Sequence, residues 1–258
     1  GNLRDGSITH KFLNFIDKKL ISNSDGIIVL EKYAENLLYK TYNVPKVPIK
    51  VIRTCTDQSL YKIKKNYEFY PTRKIKLVSL GGAITPYRSD LMLKLGKILI
   101  DYGFDLSIDF INKNDHNAIL NNARKIKFPK NKLNVYSLEH ETIPSYLNKF
   151  DFGLIFYDTS KWRRVCSPTK FGEFLSAGLP VICLEGIDII DELSIKYNFI
   201  HCISKESLET NIDNNLIIKF IKKDLDNKEC QNLAKSKFSI NKANKMYSEI
   251  YKNILFNE

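Results

Sequence analysis

The sequence contains no run of about 18 or more apolar residues, so no bilayer-spanning helix is predicted. No signal-peptide pattern precedes the first helix. The opening GNLRDGS reads as a tag remnant followed by sequence from the middle of a protein. Acidic residues are scarce, 29 against 40 basic ones, which leaves a net charge of +11. A basic surface suits anionic partners such as nucleotides, lipid headgroups or nucleic acid. A general richness in Lys, Asn and Ile would raise the charge with no partner at all. No nucleic-acid motif and no basic stripe interleaved with aromatics is present, so nucleic-acid binding is not expected. Cysteine is scarce too. The five present, Cys55, Cys166, Cys183, Cys202 and Cys230, are odd in number and lack CxxC spacing. That pattern argues against a disulfide framework or a zinc site and for a reducing cytoplasm. Four scattered histidines make no metal constellation. Internal repeats and low-complexity tracts are absent as well.

What is present is a chain of 258 residues, enough for one large or two small domains. Its organising stretch is residues 151–185, DFGLIFYDTSKWRRVCSPTKFGEFLSAGLPVICLE. Residues 151–157 form an apolar run of the kind buried in a parallel sheet. Ser167 and Pro168 read as a helix cap followed by Pro at the first helical position, where no amide proton is needed. Gly178 closes the helix and residues 180–184 start the next strand. Lys170 and Glu173 share one face of that helix. Its free amides and dipole make an anion site, to which Arg163, Arg164 and Lys170 add charge, and Glu173 can accept hydrogen bonds from sugar hydroxyls. A diphosphate at the helix start with a ribose beside Glu173 would satisfy all these groups. A capped helix with solvated cations in an ordinary βαβ unit is the plain alternative.

The string SPTKFGEFLSAGLPVI resembles the donor-binding segment of the retaining GT-B glycosyltransferases, the "group 1" family, with its pattern (S/P)-x-K-x-x-E-x-(hydrophobic)-x-x-G-x-P-V-(I/V). Ser167, Lys170, Glu173, Gly178, Pro180, Val181 and Ile182 match it. Many members carry a second Glu eight residues before the first, where this chain has Val165. A second match is SLGGAITPYRSDLMLK, similar to the family's glycine-rich opening. The resemblance implies Gly81 and Gly82 at the donor phosphates and Arg88 as the cation there. The Arg that some members carry after the glycines is Ala83 here. In the family the loop after the third strand lies by the nucleotide base. This makes Tyr136, Ser137 and Leu138 candidates for base contacts, followed by Glu139 and by His140, whose plain-loop reading is the stronger. A third, looser match is IKVIRTCTDQSLY, similar to the close of the family's first domain, with Thr54 and Cys55 replacing its Asn-Gly.

Domain organisation follows. Residues 8–22 show the apolar spacing of an amphipathic helix, with a strand, a helix and a strand after it. Residues 1–62 are expected to be the tail of an acceptor-side domain, and the polar residues 63–73 a linker. From residue 74 to 227, strands alternate with helices, predicting a Rossmann-like, doubly wound parallel sheet that binds its ligand at the carboxyl ends of the strands. Ser89 is expected to cap its first helix, and residues 141–150 to form a helix. Residues 228–258 are expected to be helical and to cross back onto the N-terminal part, as in the family. About seventy residues precede the sheet where the family has roughly 150–200, an ordinary domain size. The acceptor half therefore reads as mostly missing: a fragment, or a protein whose other half is a separate chain.

The resemblance implies transfer of a sugar from a nucleotide-diphosphate donor to a hydroxyl, without a metal or other cofactor. The acceptor would be a glycan or lipid-linked hydroxyl, and the setting surface-polysaccharide synthesis in the cytoplasm with peripheral membrane contact. Arg88, Lys170 and the amides of Gly82 and Thr169 would stabilise the departing diphosphate, and Glu173 would hold the ribose. Two other readings share the same pocket: a non-catalytic nucleotide-binding subunit, and a nucleotide-sugar hydrolase or epimerase.

Overall fold

The computed structural model describes residues 6–42, 44–62, 66–158, 161–210 and 214–256. The first five residues of the supposed tag remnant and residues 63–65 of the expected linker lie outside the described residues. In chain order the elements are α1 (Ile8–Ser22), β1 (Ile27–Val29), α2 (Lys32–Thr41), β2 (Ile49–Val51), β3 (Ile75–Leu80), α3 (Ser89–Asp101), β4 (Leu106–Ile111), α4 (His116–Lys125), β5 (Leu133–Tyr136), α5 (Ile143–Tyr146), β6 (Phe152–Ile155), α6 (Thr169–Ser176), β7 (Val181–Leu184), α7 (Asp188–Lys196), β8 (Ile200–Ile203), α8 (Lys205–Thr210), α9 (Asn214–Ile221), α10 (Asn227–Lys237) and α11 (Ile240–Phe256). They form two compact units, Gly1–Arg53 with Asn241–Glu258, and Thr54–Ile240.

In the first unit β1 and β2 pair in parallel, Ile27 opposite Ile49. The α11 side chains Ile250 and Ile254 press on Gly26, where a Cβ would stand 2.6 Å from Ile254 Cδ1. Ser7 caps α1, its hydroxyl accepting from the His10 amide at 3.2 Å. Arg53 grips the buried Glu31 carboxylate with two hydrogen bonds, 2.8 and 2.9 Å. Helix α1 buries no residue, and Phe12, Phe15 and Leu20 of its apolar stripe are exposed.

The second unit is the Rossmann-like α/β half. Its six parallel strands run in the order β5-β4-β3-β6-β7-β8. The chain therefore winds outward from β3 in one direction and from β6 in the other. This switch opens a crevice at the carboxyl ends of the two central strands. Strands β6 and β7 are buried along their whole length, as strands covered by helices on both faces must be. Phe171, Phe174 and Leu175 of α6 are fully buried against the sheet. Gly153 of β6 lies so close under the Phe174 ring that a Cβ there would collide with it. Gly178, at φ +72°, ends α6, and Leu179 N then donates back to Phe174 O at 2.8 Å.

Four local expectations are corrected. Helix α6 begins at Thr169, one residue late, because Pro168 is extended (φ −68°, ψ 120°), and Ser167 caps nothing. Ser89 is no cap either: Arg88 precedes the helix, and the buried Ser89 hydroxyl donates to Ala83 O at 2.6 Å. The expected helix over residues 141–150 is one α turn between two 3₁₀ turns, with Pro144 unable to donate an amide hydrogen bond. Strand β6 ends at Ile155, after which Tyr157 pairs only with Tyr87.

Candidate binding cleft

Strand β3 delivers Gly81 to the crevice. Gly81 turns the chain at φ +87°, a conformation glycine adopts without steric cost. The space above it is taken by Lys170, whose Cε and Nζ lie 3.0 and 3.6 Å from where a Cβ would stand. The Lys170 side chain thus reaches from the start of α6 across the glycine turn. The next residue, Gly82, leaves no room for a side chain beside the Tyr87 ring.

Asn112, just past β4, fixes this turn, and sequence reasoning missed it. Its Nδ2 donates to Gly81 O at 2.6 Å, and its carbonyl accepts from Ser137 Oγ at 2.9 Å and faces His116 Nε2 at 2.6 Å. Its Oδ1 accepts from the amides of Asn114 and Asp115. Asp115 in turn accepts from the Ala83 amide at 2.9 Å. The signal was available: an Asn ending a strand, with an Asp three residues on, is a side chain set to bond the amides that follow.

Leu80, Gly81, Asn112, Leu138, Lys170 and Glu173 are among the walls of a cavity of about 280 Å³ at this point. Glu173 is 8 % exposed, and among the described residues no hydrogen bond or ion pair satisfies its carboxylate. Lys170 has no ion pair among the described residues either. Glu173 also lines a second cavity of about 360 Å³, walled by Asp57, Tyr61, His140, Glu141 and Thr169, with no Lys or Arg among its described lining residues. Burial, and then the negative Glu173, push the Tyr61 phenol above its ordinary range. Among the described lining residues of the two cavities, the lysines, Lys113 and Lys170, are on the Gly81 side. The amides of Gly82 and Thr169 have no acceptor among the described residues.

The other sequence-predicted residues lie as follows. Arg88 is not in the cavity wall; it forms a fork on Asp90 at 2.9 and 2.7 Å and stands 3.8 Å from Asp158. The Asp90 hydrogen bond raises its already high pKa, and Arg88 holds the Asp90 carboxyl below its usual range against the opposing effect of burial. Arg164 forks on Asp188 at 2.8 and 3.1 Å. Arg163 lies 5.8 Å over the Tyr157 ring. Tyr136 donates its hydroxyl to Asp109 at 2.7 Å and meets Tyr146 edge-on. Ser137 serves Asn112, while Leu138 and His140 border the cavity. Glu139 faces Lys113 at 4.0 Å. Ser167 is held by Thr54, whose hydroxyl donates to Ser167 O at 2.6 Å, and Pro168 sets the extended entry to α6. Among the described residues no group of three or more His, Cys, Asp and Glu is placed to hold a metal ion.

No protein-family model and no curated protein sequence matches the chain. Solved structures do match. TarM shares 13 % identity at a TM-score of 0.69, over 97 % of this chain and 48 % of TarM. A glycosyltransferase from Rickettsia africae shares 14 % at 0.66, over the whole of this chain and 69 % of that one. The pneumococcal O-GlcNAc transferase GtfA, solved with UDP and GlcNAc, shares 12 % at 0.65, over 95 % and 48 %. The chain thus spans about half the length of TarM and GtfA. At these identities the likeness establishes the fold, the α/β arrangement of GT-B glycosyltransferases.

Proposed function

We propose that the chain carries the donor-binding domain of a retaining GT-B glycosyltransferase. It would bind a nucleotide-diphosphate sugar and pass the sugar to a hydroxyl of a glycan or lipid-linked acceptor. In this reading residues 74–227 are the donor domain, which with residues 54–73 and 228–240 makes up the second compact unit, and residues 1–53 and 241–258 belong to the acceptor side. The observation that carries the proposal is Glu173: a largely buried residue whose carboxylate has no partner among the described residues, in the same cavity as a lysine laid over a glycine turn.

The residues divide the labour by charge. The diphosphate takes the positive side, meeting Lys170 and the Gly82 and Thr169 amides at the start of α6. Glu173 accepts from ribose hydroxyls. In transfer, the bond from the sugar's anomeric carbon to the diphosphate oxygen breaks and the acceptor oxygen bonds that carbon. The bond electrons leave with the diphosphate, and the acceptor's proton passes to an oxygen of that departing diphosphate. Lys170 and the two amides then stabilise a charge greater in the transition state than before it, which is where binding energy accelerates reaction. Arg88 joins them only by letting go of Asp90. Synthesis of a surface polysaccharide on the cytoplasmic side of a membrane is the setting that fits this substrate class.

Calorimetric titration of UDP, GDP, ADP and CMP tests the reading. One diphosphate should bind, and Glu173→Ala should weaken it by about tenfold or more, as expected for loss of a hydrogen bond to a charged group. Equal binding by Glu173→Ala, or no binding to the protein by any of the four, would overturn it. Incubating the sugar donor without acceptor separates a transferase from a hydrolase, which alone would release free sugar rapidly.

A further inference from the structure

The opposite edge of the sheet, where β5 begins, holds a separate cavity of about 530 Å³. Its floor is apolar. Ala123 and Phe128 are both 5 % exposed, Leu133 is half-buried, and Leu120 stands at the mouth, 37 % exposed. Its rim is cationic: Arg124, Lys127 and Lys130 are exposed, and no carboxylate among the described residues lines the cavity.

All three cations come from one stretch, RKIKFPKNK over residues 124–132, with five basic residues and no acidic one. Local structure separates its two characters. Helix α4 ends at Lys125, and Phe128 N turns back to donate to Ala123 O at 2.9 Å, which drives the Phe128 ring inward. Lys127, at φ +52°, and Lys130 remain outside. Lys132 is neutralised by Asp105, and Arg124 donates to Asn121 Oδ1 at 2.7 Å. Lys127 and Lys130 have no ion pair among the described residues.

Cations around an apolar cavity match a ligand that is anionic at one end and hydrocarbon at the other. A nucleic-acid backbone would use the rim and leave the floor empty. No helix among the described residues is long and apolar enough to cross a membrane, so such contact would be peripheral. We propose that this edge docks on an anionic bilayer. Arg124, Lys127 and Lys130 hold the phosphate of an anionic phospholipid, and the first methylenes of its acyl chains enter over Leu120 and Phe128. None of these residues lines the Glu173 cavity, so the proposal stands apart from the donor-site reading.

Co-sedimentation with vesicles tests it, using phosphatidylcholine alone and with phosphatidylglycerol added. The chain should partition onto the anionic vesicles only. Lys127→Gln/Lys130→Gln should lower the partition coefficient roughly thirty-fold, about fivefold for each basic residue near an anionic surface. Lys235→Gln/Lys237→Gln, which removes the same charge from exposed sites on α10, should lower it far less. Leu120→Ser, at an exposed position, should weaken vesicle binding without changing the thermal midpoint. Equal losses from the two lysine pairs, or full vesicle binding by Leu120→Ser, would overturn the proposal. So would single-stranded RNA that binds as tightly as the vesicles and is released by the same lysine pair.

Discussion

Lys170 and Glu173 stand one helical turn apart and line one cavity, yet neither has an ion-pair partner among the described residues. That contrast ranks the cations. Lys170→Met should weaken nucleoside-diphosphate binding by about tenfold or more, the scale of one charge-assisted hydrogen bond, and Arg88→Ala by less, because Arg88 is already committed to Asp90. Calorimetry on the two variants checks the order, and a larger loss from Arg88→Ala would mean that the fork opens on binding. A different residue contributes to acid stability. Burial, helped by Lys223, pushes the His201 imidazole down to about 4, and the ring stacks on Phe220 at 5.0 Å. The unfolded chain, at an ordinary pKa of about 6.5, therefore binds a proton that the folded protein refuses. Stability is full above about 6.5 and falls as pH drops toward 4. Urea midpoints at neutral and acid pH should show the fall, and His201→Phe should reduce it.

Among the elements, α6 is the one whose placement decides the site. Its apolar face, Phe171, Phe174 and Leu175, was legible because those positions recur at helical spacing. Its entry was not. Ser167 has the chemistry of a cap, but Thr54, 113 residues away, claims it, and no local pattern announces so distant a partner. The fit of α6 to β6 is equally non-local. Gly153 lies under the Phe174 ring with no room for a methyl group. Gly153→Ala should therefore destabilise the protein by about 1–3 kcal/mol, the usual cost of overpacking a core. Denaturant unfolding measures it, and a neutral result would mean that α6 lifts from the sheet at little cost.

Across the whole molecule the burial is uneven. Strands β6 and β7 are wholly buried, whereas α1 buries none of its residues. Amide hydrogen exchange should follow that division, because opening costs least where few apolar contacts are lost. Peptides over residues 8–22 should exchange at least about an order of magnitude faster than those over residues 152–155 and 181–184. Comparable protection would mean that the apolar stripe of α1 is covered in solution.

The sequence by itself determined the alternation of strands and helices, the glycine that ends α6, and the pairing of Lys170 with Glu173 on one face. Each of these is a matter of spacing along the chain, 3.6 residues or two at a time, and needs no distant partner. Only the tertiary structure decided which polar groups are left free. Arg88 and Arg164 find carboxylates, Tyr136 finds Asp109, and Asn112 anchors the Gly81 turn, while Glu173 and Lys170 are left to face the cavity. The strand order does the rest. Apart from the Arg88–Asp90 fork, between residues two positions apart, hydrogen-bond satisfaction is settled between residues tens of positions apart, brought together by the outward winding from β3 and β6, and that information is absent from any local stretch.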